Sequence, residues 1–147
     1  MEQPPVPKPA PAQSQLFDAS ALVNLLVSRG SAALDLMRGN DILDLTLYEV
    51  GNAVWKLCTL RGKISPAEAD SLLGALVRTA MDHMNLIRIS RVDHMSISGL
   101  ARAERLSYYD AAYVSAARER KRELVTDDVR LTTVASKFIN VKRSSDL

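Results

Sequence analysis

From Gln15 onward, short apolar runs alternate with longer stretches in which apolar residues recur every three or four positions. The short runs "QLFDA", "DILDLT", "NLIRIS" and "ELVT" read as strands, and "INVKRSS" supplies a last edge strand. Between them, "SALVNLLVSR" predicts a helix that Ser20 caps and Gly30 ends, and "SAALDLMR" a second piece stopping at Gly39-Asn40. "LYEVGNAVWKLCTLRG" places Leu47, Val50, Val54, Leu57 and Cys58 on one helical face. "SPAEADSLLGALVRTAMDH" opens with three start signals together: Ser65 as cap, Pro66 at the first helical position, and Glu68 three residues after the serine. "DHMSISGLARAERLS" is expected to be helical with an interruption at Gly99, and "YYDAAYVSAARERKR" and "DDVRLTTVASKF" add two more helices. This alternation predicts a three-layer α/β/α domain: a central parallel sheet of about five strands with helices on both faces.

Composition narrows the class. A chain of 147 residues is most economically one domain with a real core. With 47% apolar and 24% charged residues it has an ordinary globular balance. The formal net charge of +2 is too small to indicate nucleic-acid binding by itself, though it is compatible with a local basic patch. The single cysteine, Cys58, excludes an intrachain disulfide and fits a reducing compartment, most simply the cytoplasm. Its apolar helical register suggests a buried packing role. No segment approaches the roughly eighteen continuous apolar residues of a membrane span. The start differs: "MEQPPVPKPAPAQSQ" holds five of the six prolines and no apolar signal core. Residues 1–14 are expected to be a disordered, proline-rich leader, and 15–147 the folded domain.

Isolated acids fall at comparable places along this pattern. Asp18 ends the first strand, Glu49 lies just inside the helix after the second, Asp110 opens the helix before the fourth, and Asp127 and Asp128 follow the fourth directly. Strand C-termini of a parallel sheet share one edge, where ligands bind, so these acids are expected to converge. Converging carboxylates oppose one another's ionisation unless a cation joins them. Hard oxygen donors favour Mg²⁺ or Mn²⁺, which acidify and orient a water and stabilise charge at phosphorus. Helix capping accounts for some of these acids equally well, since Thr46-x-x-Glu49 and Ser107-x-x-Asp110 both have capping-box spacing. Asp18 is harder to explain that way, because it interrupts an apolar run where an unpaired carboxylate is costly. Glu49, Asn52 and Lys56 form a polar stripe on an otherwise apolar helix, with Asn52 placed to brace Glu49 or touch a substrate.

Four segments, "LFDASALVNLL", "LTLYEVGNAVWKL", "LSYYDAAYVSAA" and "LVTDDVRL", in this order and at these separations, resemble the PIN-domain nucleases. The similarity is greatest to the VapC toxins of prokaryotic type II toxin–antitoxin systems and extends from about Gln15 to the C-terminus. The resemblance implies a metal-dependent endoribonuclease whose Mg²⁺ or Mn²⁺ is held by Asp18, Glu49, Asp110 and Asp128. The family's Thr-x-Asp pattern lands on Thr126 and Asp128, leaving Asp127 in the variable position, with Ser20 and Asn52 as polar accessories. It further implies a five-stranded parallel sheet, a homodimer, and inhibition by a cognate VapB-like antitoxin that occludes the site. The proline-rich leader departs from the pattern.

The expected reaction is in-line attack of a water on RNA phosphorus with loss of the 3′-oxygen, giving 5′-phosphate and 3′-hydroxyl ends. The basic run "RERKRE", residues 118–123, is expected close to the cleft, where it would bind phosphates or simply form a solvated helix end. Tyr108, Tyr109 and Tyr113 would stack on bases or pack in the core. His83 and His94 lie at unrelated helix edges and carry no catalytic signature. The alternatives are a housekeeping RNA-processing nuclease and a non-catalytic PIN-fold module that binds RNA or protein.

Overall fold

The computed structural model describes residues 13–147. The expected leader therefore lies outside the described residues except for its last two. Those two already touch the folded part: Gln13 Nε2 donates to the Lys121 carbonyl at 3.1 Å, and the Ser14 carbonyl accepts from the Glu123 amide at 3.2 Å.

Five short strands, β1 (Gln15–Phe17), β2 (Asp41–Leu43), β3 (Asn85–Ile87), β4 (Glu123–Val125) and β5 (Val141–Lys142), form one sheet in the order β3-β2-β1-β4-β5. Every pairing is parallel, with Leu16 and Phe17 of the central strand opposite Leu124 and Val125. The strand sequences explain the layering. Successive side chains alternate faces, yet both faces here are apolar. Leu16, Leu43, Ile87 and Leu124 enter one core, and Phe17, Ile42 and Val125 enter the other. A sheet greasy on both sides needs helices on both sides, and the expected three-layer α/β/α architecture results.

The second core is closed by α1 (Ala19–Arg29), α2 (Ala33–Met37), α3 (Asp44–Trp55) and α4 (Pro66–His83), through residues such as Leu22, Leu25, Met37, Val50 and Leu76. The first is closed by α5 (His94–Glu104), α6 (Tyr108–Glu119) and α7 (Val129–Ala135). Residues 111–117 of α6 are all buried, and most are alanines. Their small side chains let the helix lie close to the sheet on one side and under α5 on the other. Truncating a strand residue such as Leu16 or Leu124 to alanine is expected to cost about 2–5 kcal/mol.

Several local expectations change. The Ser65–Glu68 capping box forms as read, with Pro66 at the first helical position. Gly30 ends α1 at φ 54, a left-handed value that favours glycine. The cap of α1, however, is Asp18 rather than Ser20. Glycine at position 99 does not interrupt α5, which runs through it unbroken. After Trp55, α3 widens into a π-helical turn over Lys56–Leu60, and Cys58 there is half-buried rather than fully packed. No helix among the described residues is long and apolar enough to cross a membrane.

Candidate active site

Strand direction brings the acids together. Asp18 follows β1 directly, and Asp128, just beyond β4, caps α7. Glu49 sits in the second turn of α3, immediately after β2. Asp110 lies in the first turn of α6, which must start at the strand C-terminal edge in order to return to the start of β4. Asp18 is buried, Glu49 and Asp110 are half-buried, and Asp128 is exposed at the rim.

Their electrostatics connect them. Burial raises the pKa of Asp18, Glu49 and Asp110, each above the ordinary carboxylate value. Mutual repulsion adds to this: Glu49 feels Asp18 and Asp110, and Asp110 feels Asp128. The positive charge that opposes this at Asp110 comes from Arg130.

Asp18 is held by three donors. Its Oδ1 accepts from the Ser20 hydroxyl at 2.7 Å and the Ala21 amide at 2.9 Å, and its Oδ2 accepts from the Thr126 hydroxyl. The same Thr126 oxygen accepts from the Asp128 amide at 3.1 Å, so one threonine ties the ends of β1 and β4. Ser20, displaced from the capping role, instead bridges Asp18 to the Asp127 amide, which donates to its hydroxyl at 3.1 Å.

Glu49 is not in a capping box. Thr46 is wholly buried and points to Tyr113, while α3 begins without a side-chain cap. The Tyr113 hydroxyl donates to Glu49 Oε1 at 2.6 Å and takes a hydrogen bond from Thr46 Oγ1 at 2.7 Å. Burial, followed by the Glu49 charge, drives the Tyr113 pKa far up, so this hydroxyl remains a donor. Tyr113 is therefore buried and bonded to Glu49, with no ring face open for stacking. Its only sequence signal was its place three residues after Asp110, on the same helical face.

The neighbours divide by role. Asp110 is partnered only within its own helix start: its amide donates to the Ser107 hydroxyl at 3.0 Å, and the same serine lowers the carboxyl pKa against the upward push of burial. Asp128 Oδ1 accepts from the Leu131 amide at 2.8 Å, leaving Oδ2 open. Asp127 turns away toward Asn24 (2.8 Å) and the Ser144 amide and hydroxyl (2.9 and 2.5 Å). Desolvation raises its pKa, but those hydrogen bonds outweigh it and the net shift is downward. Asn52 is exposed and makes no hydrogen bond to Glu49, so it does not brace it.

As a metal site the donor chemistry fits, and the spacing is open. Glu49 Oε2 and Asp128 Oδ2 offer hard oxygens without protein donors, Asp110 is approached only by Ser107, and repulsion links Asp18 to Glu49, Glu49 to Asp110 and Asp110 to Asp128. Yet among the described residues no three Asp, Glu, His or Cys side chains are gathered tightly enough to hold an ion as they stand.

Two other expectations move. The basic run 118–123 ends α6 and enters β4, so it lies at the strand N-terminal edge, away from the acids. There Arg122 pairs with Asp41 at 2.6 Å and Arg118 lies over the Phe138 ring. Tyr108 and Tyr109 are exposed, as is Tyr48, which the pattern did not single out. His83 and His94 sit at the end of α4 and the start of α5, apart from the acids.

No protein-family model matches the chain, and no curated protein sequence matches it. Among solved structures, that of PAE2754 from Pyrobaculum aerophilum is similar over 92% of this chain and 86% of that one, at 27% identity and a TM-score of 0.73. The chain thus shares its three-layer α/β/α fold with that solved protein.

Proposed function

We propose that the protein is a Mg²⁺- or Mn²⁺-dependent endoribonuclease of the VapC-like PIN type. The observation that carries this reading is the group of four carboxylates from four separate elements, three with pKa values pushed up by burial and two of these, Glu49 and Asp110, also by repulsion from others of the four. Such an arrangement destabilises the fold at neutral pH unless a cation offsets it.

Asp110, Asp128, Glu49 and Asp18 are the residues that would hold the ion, which when bound supplies Lewis-acid stabilisation and a more acidic water. The protein's own groups do the rest. Asp18, fixed by Ser20, Ala21 and Thr126, forms an immobile floor. Tyr113 holds one oxygen of Glu49, and the other is free to accept a proton from the attacking water. A bond forms from that water to phosphorus, the bond to the 3′-oxygen breaks, and the leaving oxygen takes a proton from solvent. The products carry 5′-phosphate and 3′-hydroxyl ends.

The same reading includes a cognate antitoxin protein and a homodimer as partners. The exposed Trp55 and Leu60 support an additional protein contact on the far end of α3. A second reading, a PIN-fold module that binds RNA or protein without cutting, is favoured by one observation, the open spacing of the acids.

The test is cleavage of RNA by the purified full chain with Mg²⁺ or Mn²⁺ against EDTA, comparing wild type with Asp18→Asn and Asp110→Asn. Metal-dependent cutting that both substitutions reduce at least a hundredfold supports the nuclease. Equal cutting by the variants removes the acids from the site, and no cutting by wild type leaves the binding module.

A further inference from the structure

We propose that single-stranded RNA reaches the acids along a track of arginine and then tyrosine side chains on the β3 side of the sheet. The proposal rests on the nuclease reading for where the track leads, and its test separates the two.

The first part is a depression of about 550 Å³ lined by Arg88, Arg91, Arg120 and Arg122 together with Asp41 and Asn85. It forms where β2 and β3 run out from under α6, on the sheet face that α5 and α6 cover elsewhere. Asp41 is the one carboxylate lining it, and that carboxylate is spoken for. It accepts from Arg122 Nε at 2.6 Å and from Asn85 Nδ2 at 3.0 Å. Arg88, Arg91 and Arg120 are exposed, with no carboxylate within salt-bridge distance among the described residues. Three uncompensated guanidiniums facing one groove call for an anion with several charges, and their planar forks suit phosphate.

The second part is a cleft of about 250 Å³ lined mainly by Leu45, Tyr48, Ile89, Tyr108 and Tyr109. All three tyrosines are exposed, Tyr48 by 80%. The two hollows share the turn Ile89–Arg91: Ile89 lines the tyrosine cleft, while Ser90 and Arg91 line the arginine groove. Asp44 Oδ1 accepts from the Ile89 amide at 3.0 Å and fixes this turn against α3. Glu49 and Asp110 do not line the cleft but stand one residue further along the same two helices, next to Tyr48 on α3 and Tyr109 on α6.

Cation and aromatic face therefore adjoin at one turn, and the acids come next along the helices that carry the tyrosines. Arginines neutralise phosphates and tyrosines stack on bases, the combination that binds single strands without reading sequence. A duplex keeps its bases stacked on one another and leaves the tyrosines unused. An acidic protein segment matches the arginines but has nothing to place on three tyrosine faces.

The test measures binding in EDTA, so that cutting does not intervene. The probes are a fluorescein-labelled RNA dodecamer, the same RNA annealed to its complement, and poly-L-glutamate. For the full chain, the single strand is expected to bind most tightly. The triple variant Arg88→Ser, Arg91→Ser, Arg120→Ser should weaken it tenfold or more and lower the log–log salt slope by about 2, from roughly 0.7 per phosphate contact. Tyr48→Ala with Tyr109→Ala should weaken the single strand by about tenfold with the salt slope unchanged. Single-strand affinity unaffected by either set overturns the track. Poly-L-glutamate binding as tightly as RNA, indifferent to the tyrosine changes, assigns the groove to an acidic protein partner instead. Tyrosine variants that alter oligomeric state and leave RNA affinity untouched make the cleft a contact between copies. Arginine-dependent RNA binding without any metal-dependent cutting would sustain the track and remove the nuclease, whereas cutting with unchanged KM in both variant sets would do the opposite.

Discussion

The Tyr113 hydroxyl donates a 2.6 Å hydrogen bond to Glu49 across 64 positions of sequence, and it is itself held by buried Thr46. This relay makes the orientation of one carboxylate depend on the packing of α6 against α3. Tyr113→Phe is expected to reduce RNA cleavage about tenfold or more and to destabilise the fold by about 1–3 kcal/mol, because Thr46 loses its partner. Adding Thr46→Val should recover most of the stability, as read by urea unfolding, without recovering cleavage. Recovery of both would reduce Tyr113 to a structural residue.

Adjacent aspartates make opposite predictions. Asp127 ties Asn24 and Ser144 to the end of β4, whereas Asp128 faces the site and caps α7. Asp127→Ala should cost about 1–3 kcal/mol of stability and retain more cleavage, measured well below its melting temperature. Asp128→Ala should cost about 0.5–2 kcal/mol through the lost cap and retain far less activity. The reverse ranking of activities would place the reactive group at Asp127.

Charge on the cluster has a stability signature. The Asp110 pKa is raised from 3.8, chiefly by burial and then by Asp128. A group whose folded pKa lies above its unfolded value contributes stability fully below the unfolded value, and that contribution is lost as pH rises through the folded one. In EDTA, the wild-type Tm relative to Asp110→Asn should therefore fall as pH rises from about 4 to 7, and the Asn variant should melt higher at pH 7. An Asn variant that melts lower at pH 7 would mean that the site is not under electrostatic strain.

Asp127 should behave in the opposite sense. Desolvation raises its pKa, but hydrogen bonds from Ser144 and Asn24 bring the net value below 3.8. Its contribution is present above the unfolded value and disappears as pH falls through the folded one. The destabilisation caused by Asp127→Ala is thus expected to shrink below about pH 4, which denaturant titrations at pH 3 and pH 7 would show.

Thr126 links two of the acids with one hydroxyl, donating to Asp18 and accepting from the Asp128 amide. Thr126→Ser should retain both bonds and most cleavage. Thr126→Val leaves the buried Asp18 Oδ2 and the partly buried Asp128 amide without this partner, with an expected cost of about 1–3 kcal/mol and a loss of cleavage. Equal activity in the serine and valine variants would argue that the hydroxyl positions nothing.

What could be read from residue order alone was governed by short range. Leu16 beside Phe17, Ile42 beside Leu43 and Leu124 beside Val125 dictate a sheet buried on both faces, because alternate strand residues point opposite ways. Ser65, Pro66 and Glu68 make their helix start within one turn, so no other element affects it. Asp18, Glu49, Asp110 and Asp128 were visible as acids tied to strand ends or helix starts. Their common edge follows from parallel strand direction.

Competition and distance decided the rest. Asp18 and Ser20 are both good caps, and only the geometry at the end of β1 selects the aspartate and leaves the serine to bridge to Asp127. Thr46 had a local capping role open to it, yet the burial of α6 offers it Tyr113 instead. The basic run after residue 117 reads as near the acids along the chain. The length of α6 carries it to the N-terminal edge of the strands, from which Arg120 and Arg122 share one groove with Arg88 and Arg91 from beyond the end of β3. Local spacing thus determines the strands, the caps and the candidate carboxylates. The partners of those carboxylates and the placement of the basic and aromatic side chains depend on which elements the folded sheet makes neighbours, and no i-to-i+4 pattern encodes that.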